Sequence, residues 1–344
     1  MKCVVLAIVA LLQVAVLAYM AGEREWILQN GQTVHLRTAP VNPRDPMRGD
    51  YVALDYDIAH VPLALCTGDI ALALVRSNVI ARGTSVYAVL TTNDSVAHLV
   101  TLTDQRPADG SYIRGRIDNS WRPGVTARYG IEAYFMQQGK ALALERGRVR
   151  EGIQVPLEMA VALSPRGVAV IKDHRWAQLG IGLDLVFDPA HTNRHIDERV
   201  VAATVRLMNA GTTDVALVDL PGGRSFSLVP VFNRWGRDHY WRWAGENDPA
   251  PLPQPANVVL LKPGQILTNR IEYSDPHWFV IEDTTNKVDA VAKPLCHAYR
   301  DWSAMFRMEY RAPEPAACTA LPHRAVIWHG SLATRSFSGS GRVD

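Results

Sequence analysis

A group of charged residues between positions 44 and 50 could bind a ligand or a partner. The group consists of Arg44, Asp45, Arg48 and Asp50, with prolines at 43 and 46 and a glycine at 49. A segment of this composition predicts a tight turn that leads into a strand. We prefer this structural interpretation, and a partner-binding site formed by the four charged side chains is the alternative.

A second candidate is the segment 235–255, which is rich in Trp, Arg and Pro. Its candidate partner-binding residues are Trp235, Trp241 and Trp243, and arginines alternate with them. Aromatic and Arg side chains dominate the hot spots of interfaces, and Trp also lies at lipid headgroups. The same rings could form the core of an irregular sandwich, so binding and packing both remain open.

Patterns typical of catalysis and metal binding are weak in this sequence. His191 and His195 are four residues apart, but their neighbours predict a solvated loop, and no third spaced histidine accompanies them. A Ser–Lys protease of the signal-peptidase type would need a serine where Val41 stands, and no lysine lies between Lys2 and Lys140. A Gly-rich phosphate loop and a Gly-x-Ser-x-Gly elbow are also missing. We therefore predict no catalytic residue, no metal site and no cofactor.

The composition is that of an ordinary globular protein. The chain has 344 residues, of which 48% are hydrophobic and 20% charged, with a net charge of +2. This length suits two domains of roughly 150 residues each, and the small net charge argues against nucleic acid as a partner.

The elements that would position the candidate residues begin with an apolar segment at 4–21, interrupted only by Gln13. A helix needs about 20 such residues to cross a bilayer, so residues 1–22 are predicted to be a transmembrane anchor. Lys2 precedes the segment, and Glu23 and Trp26 follow it. The positive-inside rule then predicts a single-pass protein of the inner membrane, with its amino terminus in the cytoplasm and its body in the periplasm or outside.

A cleaved signal peptide is the alternative interpretation of this segment. Tyr19 stands where signal peptidase prefers a small residue, so an uncleaved anchor is favoured. Both interpretations export the body.

The cysteines of an exported protein can form disulfides. Cys296 and Cys318 would close a loop of moderate length, worth about 3 kcal/mol in the chain-entropy model, and we keep this bridge as a hypothesis. Cys66 lies in an apolar stretch and is predicted to be a buried free thiol, while Cys3 lies at the cytoplasmic edge of the anchor.

Short alternating runs separated by Gly and Pro predict a mainly β fold. In the run 51–58, Val52, Leu54 and Tyr56 fall on one face of a strand. Residues 137–146 favour a short helix. We predict a β-rich domain at 25–175, an immunoglobulin-like β-sandwich at 176–330 and a flexible tail at 331–344.

The segment 49–56, Gly-Asp-Tyr-Val-Ala-Leu-Asp-Tyr, resembles the signature of the GDYXXLXYXX protein family. The resemblance continues through 114–116 and 129–135 and ends in the Pro-Arg-Gly turn at 165–167, so that it covers about residues 25–175. Asn42 departs from the pattern, which carries an aspartate there. The resemblance implies a bacterial, membrane-anchored protein of unknown activity.

The expected function is that of an extracytoplasmic binding or scaffold protein with an unknown ligand. Its partners would be the membrane and an envelope or membrane protein. The alternative is an envelope hydrolase with an unrecognised site, although nothing in the sequence marks an enzyme.

Overall fold

The computed structural model describes residues 2–41, 51–77, 79–91, 95–121, 124–135, 140, 144, 147–188, 200–231, 239–284, 291–295 and 305–338. The chain divides into two compact units. Unit 1 consists of Met1–Glu145 and Leu157–Arg175, and unit 2 of Arg146–Pro156 and Trp176–Asp344. The sequence prediction placed residues 146–156 in the first domain, whereas here this segment joins unit 2.

Most of the regular structure is antiparallel β-sheet, as predicted. The helix α1 is Lys2–Asn30 and α2 is Asp69–Ser77. The strands of unit 1 are β1 (Gln32–Val41), β2 (Tyr51–Tyr56), β3 (His60–Pro62), β4 (Cys66–Thr67), β5 (Ser85–Thr91), β6 (His98–Thr103), β7 (Ser111–Trp121), β8 (Gly124–Arg128), β9 (Ala133–Phe135), and, beyond two strands of unit 2, β12 (Leu157–Leu163) and β13 (Ala169–Trp176). The strands of unit 2 are β10 (Val149–Arg150), β11 (Ile153–Gln154), β14 (Leu179–Phe187), β15 (Val200–Asn209), β16 (Val215–Val218), β17 (Phe226–Val231), β18 (His239–Trp243), β19 (Val258–Leu261), β20 (Ile266–Glu272), β21 (Val280–Thr284), β22 (Met305–Arg311), β23 (Ser331–Ala333) and β24 (Phe337–Ser338).

Two sheets form the framework of unit 1. One has the strand order β13-β12-β1-β2-β9 and the other β3-β8-β7-β5-β6-β4. The alternation predicted for β2 is confirmed, since Val52, Leu54 and Tyr56 are buried. The sequence reading missed α2, whose inward residues Ile70 and Leu74 are one turn apart.

The helix α1 is continuous from the apolar segment into unit 1. Its described side chains from Val4 to Trp26 are exposed, whereas Ile27 is 1% exposed and packs with Ala162 and Val170 of the adjoining sheet. Among the described residues, α1 is a helix long and apolar enough to span a membrane. The body therefore begins directly where α1 ends.

Unit 2 is built from antiparallel pairs around an apolar core. Its sheets have the orders β10-β11-β14-β15-β20, β17-β22-β23 with β24 also on β22, β16-β19, and β18-β21. The core includes Trp278, Phe306 and Tyr310. These pairings do not establish an immunoglobulin-like strand order, which stays a prediction.

The prediction of a flexible tail from residue 331 is wrong for residues 331–338. Ser331–Ala333 and Phe337–Ser338 are strands that pair with β22. Leu332 and Phe337 are fully buried, so this segment contributes apolar area to the core. Residues 339–344 lie outside the described part of the chain.

Candidate functional site

Several of the predicted site residues lie outside the described residues. They are Arg44, Asp45, Arg48, Asp50 and Trp235. A partner site at the charged turn therefore stays a prediction. The histidines at 191 and 195 and most of the helix predicted at 137–146 also lie outside the described part.

Trp241 belongs to the core of unit 2 and not to an open binding surface. Its side chain on β18 is 7% exposed, and its ring meets that of Phe306 edge to face at 6.3 Å between centroids. The ammonium of Lys293 lies 4.8 Å from the centre of the Trp241 ring, a cation–π arrangement. Of the two interpretations that the sequence left open, packing applies to this residue.

Trp243, two residues further along β18, is half-buried and lies in a polar and aromatic cluster. Its indole Nε1 donates a hydrogen bond of 2.6 Å to the backbone oxygen of His277. Its ring stacks on Trp278 at 5.7 Å and meets the imidazole of His277 edge to face at 4.8 Å. Trp243, unlike Trp241, is therefore partly exposed and has polar neighbours.

His277 is held in this cluster by an acidic and a basic side chain. Its Nδ1 lies 2.8 Å from Oδ2 of Asp248, and Arg224 Nη1 lies against the same nitrogen. Arg224 also pairs with Asp248 at 3.4 Å. Hydrogen bonding to His277, reinforced by the charge of Arg224, lowers the pKa of the Asp248 carboxyl. Asp248 is therefore an anion at neutral pH, and we call Arg224, Trp243, Asp248 and His277 the His277 cluster.

Two short 3₁₀ turns position the imidazole. The turn Pro276–Trp278 begins with Asp275, whose carboxylate accepts a hydrogen bond of 3.0 Å from the backbone N–H of His277. The turn Ala244–Asn247 contains Gly245, where an added Cβ would come within 2.5 Å of His277 Nδ1. Glycine at 245 therefore lets the two turns approach each other.

The His277 cluster contains a carboxylate, a guanidinium and an imidazole, which are groups that can form hydrogen bonds and ion pairs. Nε2 of His277 is buried and has no hydrogen-bond partner among the described residues. No hydroxyl or thiol is bonded to either ring nitrogen within the described part, so the nucleophile of a Ser–His–Asp site is missing there. Charged and aromatic groups that are partly exposed can instead meet a polar partner group.

The signature residues of unit 1 form a reciprocal tyrosine clamp. The hydroxyl of Tyr56 donates to the backbone oxygen of Ile131 at 3.0 Å, and the hydroxyl of Tyr129 donates to that of Ile58 at 2.8 Å. Each tyrosine thus donates to the backbone carbonyl of the residue that lies two positions after the other tyrosine. Both hydroxyls are buried, which makes the clamp a structural feature and not an exposed site.

A turn at 129–132 completes this connection. The carboxylate of Glu132 accepts hydrogen bonds from the backbone N–H groups of Tyr129 and Gly130, and the backbone oxygen of Glu132 accepts from Leu54 N at 2.8 Å. Gly130 has φ of +81°, which favours glycine. The two segments of the family signature, 54–56 and 129–135, are therefore connected by hydrogen bonds.

A buried carboxylate links three neighbouring strands of unit 1. Glu158 on β12 is 5% exposed, and its Oε2 accepts a hydrogen bond of 2.8 Å from Arg175 Nε on β13. Its Oε1 lies 4.0 Å from Arg37 Nη2 on β1. Arg175 also donates to the backbone oxygen of Ser95 at 3.1 Å. The group is part of the framework of the sheet.

Cys66 and Cys318 are buried free thiols. Cys66 is confirmed as such, and burial raises the pKa of its thiol to about 11. Cys318 is also a free thiol whose pKa burial raises. Because Cys318 is a free thiol, the structure contradicts the hypothesis of a Cys296–Cys318 bridge. Cys296 itself lies outside the described residues.

A metal-binding group of three or more His, Cys, Asp or Glu side chains does not occur among the described residues. The sequence analysis singled out none of Arg224, Asp248 and His277 as a candidate functional residue. Their positions at 224, 248 and 277 give no local spacing that would have revealed the cluster.

The fold and these contacts define a mainly β protein with an apolar amino-terminal helix. A family model described as GDYXXLXY protein matches residues 13–173, and this match supports membership of that family for this part of the chain. Comparison with curated proteins gives no match, and neither does comparison with solved structures.

Proposed function

We propose that this protein is a membrane-anchored binding or scaffold module whose body lies outside the cytoplasm. The observation that carries the proposal is α1, an exposed apolar helix that runs without a break into the core of unit 1. The proposed location is the inner membrane, crossed once. Lys2 before the apolar segment and Glu23 after it support an orientation with the amino terminus inside.

The length of α1 fits one crossing of a bilayer. The apolar residues 4–21 rise by about 27 Å at about 1.5 Å per residue, close to a hydrocarbon core of about 30 Å. Gln13 is the polar interruption of this segment. A helix forms the hydrogen bonds of its backbone N–H and C=O groups internally, and hydrocarbon offers no partners for these groups.

The continuity of α1 supports an uncleaved anchor. A cut after Ala21 would fall inside the helix, six residues before Ile27, whose side chain is 1% exposed in unit 1. Proteolytic sites concentrate in exposed loops with few hydrogen bonds. Retention of the helix is therefore proposed over removal as a signal peptide.

The His277 cluster is the proposed binding site of unit 2, with an envelope or membrane protein as the partner. It combines an exposed carboxylate, a guanidinium and the edge of a tryptophan, a combination typical of binding hot spots. A hydrolase is the second candidate, favoured only by the Asp248–His277 pair.

Fractionation of cells that express the full chain tests the anchor. We expect the protein in the membrane fraction, resistant to extraction at alkaline pH, with its carboxyl-terminal unit cut by protease added from the outer side of the inner membrane. A variant that lacks residues 2–21 is the matched control and should become extractable. Recovery of the full chain as a soluble cytosolic protein would refute the proposal.

Substitution in the cluster tests the binding role. Arg224→Ala should reduce cross-linking to the envelope or membrane-protein partner of the wild-type chain, and the exposed Leu252→Ala is the control for a change away from the cluster. Folding is checked by hydrogen exchange of unit 2. Unchanged cross-linking by a folded Arg224→Ala protein would exclude this site, and hydrolysis of ester or peptide substrates lost with Asp248→Asn would favour the enzyme.

A further inference from the structure

We infer that unit 1 rests on the lipid headgroup layer of the bilayer that α1 enters, through the turn 164–167 with Arg166 at its tip. The inference depends on the proposed anchor and adds a contact surface and its partner, the phosphate groups of the lipids.

The turn lies beside the point where α1 joins the body. It follows β12, whose last residue Leu163 pairs with Gln32, the first residue of β1. An added Cβ at Gly31 would come within 2.9 Å of the backbone oxygen of Leu163. Val168, just after the turn, packs in the cluster that buries Ile27. The turn and the end of the helix are therefore immediate neighbours.

The distance along α1 places this junction at the membrane surface. From Ala21, where the apolar segment 4–21 ends, to the buried Ile27, the helix rises by about 9 Å. The headgroup layer is about 5–8 Å thick on each side of the hydrocarbon core. Because the helix is continuous, the body lacks a linker that could lift it away from this layer.

The turn is held in one conformation by contacts within unit 1. Arg106 donates hydrogen bonds to the hydroxyl of Tyr112 and the backbone oxygen of Pro165, at 2.9 and 3.2 Å. Tyr112 also donates to Pro165 O at 2.8 Å. Gly167 has φ of +75°, and its backbone oxygen accepts from Arg114 N. A surface held in this way binds without first losing conformational entropy.

The side chains at this surface match lipid phosphates. Arg166 is exposed, and its guanidinium has no partner among the described residues. Trp26 on α1 is 52% exposed, and tryptophan is enriched at membrane interfaces. Glu23 and Glu25 offset the charge of Arg24, so the specific contact is a guanidinium with phosphate and not a general positive field.

A fluorescent label tests this surface in the full chain, reconstituted in vesicles of phosphatidylcholine and phosphatidylglycerol. The label is attached to Arg166→Cys, or to Ala81→Cys as control, after Cys3 and Cys296 are replaced by serine. Ala81 is exposed and lies just before Ser85, the first residue of β5. The other end of β5 is nearer to α1, because Leu90 pairs with Ser111 and Ser111 bonds to Gln32. The label at position 166 thus reports the part of unit 1 next to the end of α1, and the label at position 81 reports the end of β5 that is farther from α1.

We expect a blue-shifted emission and several-fold weaker quenching by iodide at position 166 than at 81. A second pair of proteins carries the label at Ser164→Cys, with either the native Arg166 or Arg166→Glu. The label should be less protected from iodide in the glutamate variant, because that variant lacks the positive charge. Equal quenching at positions 166 and 81 in a protein that stays in the vesicles would refute the contact and leave the anchor intact. Loss of the protein from the vesicles would refute the anchor and this inference together.

Discussion

The tyrosine clamp of unit 1 gives a prediction whose magnitude can be worked out. Tyr129→Phe removes one hydroxyl and leaves the backbone oxygen of Ile58, a residue 4% exposed, without this donor. A buried group that loses its partner costs about 1–3 kcal/mol. Since about 1.4 kcal/mol is a factor of ten in an equilibrium constant, we expect opening of this region to become roughly 5-fold to 150-fold more frequent.

Hydrogen exchange measured by mass spectrometry on the full chain in detergent checks this expectation. Peptides from β2 and from β8 should exchange faster in both Tyr129→Phe and Tyr56→Phe. The double variant should show a coupling of about 0.5 kcal/mol or more, because both bonds join the same two segments. Tyr87→Phe is the control, since Tyr87 makes a ring contact with Tyr112 but no hydrogen bond through its hydroxyl in the described residues. Equal exchange in the Tyr129→Phe and Tyr87→Phe proteins would refute the clamp.

The same tyrosines give the fold a dependence on alkaline pH. Burial, with a smaller effect of the Glu132 carboxylate, raises the pKa of both Tyr56 and Tyr129. A raised pKa in the folded state means that stability is complete below the unfolded value of about 10 and falls as the pH rises above it. The free energy of unfolding of unit 1 should therefore decrease as the pH rises above about 10, and it should decrease less steeply in the phenylalanine variants. An unchanged slope would contradict this assignment.

Three further predictions concern thiols, a close approach and a buried carboxylate. Cys66 and Cys318 should react with a thiol reagent at pH 8 only slowly until denaturant is added, as burial and the raised pKa require, and rapid native labelling of both would contradict their burial. Gly245→Ala should destabilise unit 2 by roughly 1–3 kcal/mol, measured by hydrogen exchange, because the new methyl group would overlap the ring of His277. Glu158→Gln should cost roughly 1–3 kcal/mol in unit 1, because it removes the charge of a buried acceptor that bonds Arg175 and faces Arg37, and a change below about 0.5 kcal/mol would show that the charge is not needed.

Part of the candidate site could be predicted from the sequence. Trp243 was singled out as an aromatic residue among arginines, and it does lie in a polar cluster. Trp241 was singled out with it but is core, because β18 directs the two residues into different surroundings despite their shared face. The partners Asp248 and His277 could not be predicted, since 3₁₀ turns that are far apart in the chain bring them together.

The sequence by itself determined the features that depend on local pattern. The segment 4–21, apolar except for Gln13, defines a helix that can span a bilayer. The alternation around Leu54 defines a buried strand, because side-chain periodicity follows directly from backbone geometry. The tertiary structure decided the contacts between distant segments. The bonds of Tyr56 to Ile131 and of Asp248 to His277 connect residues 75 and 29 positions apart. No local period encodes such contacts, because the packing of whole sheets brings these residues together.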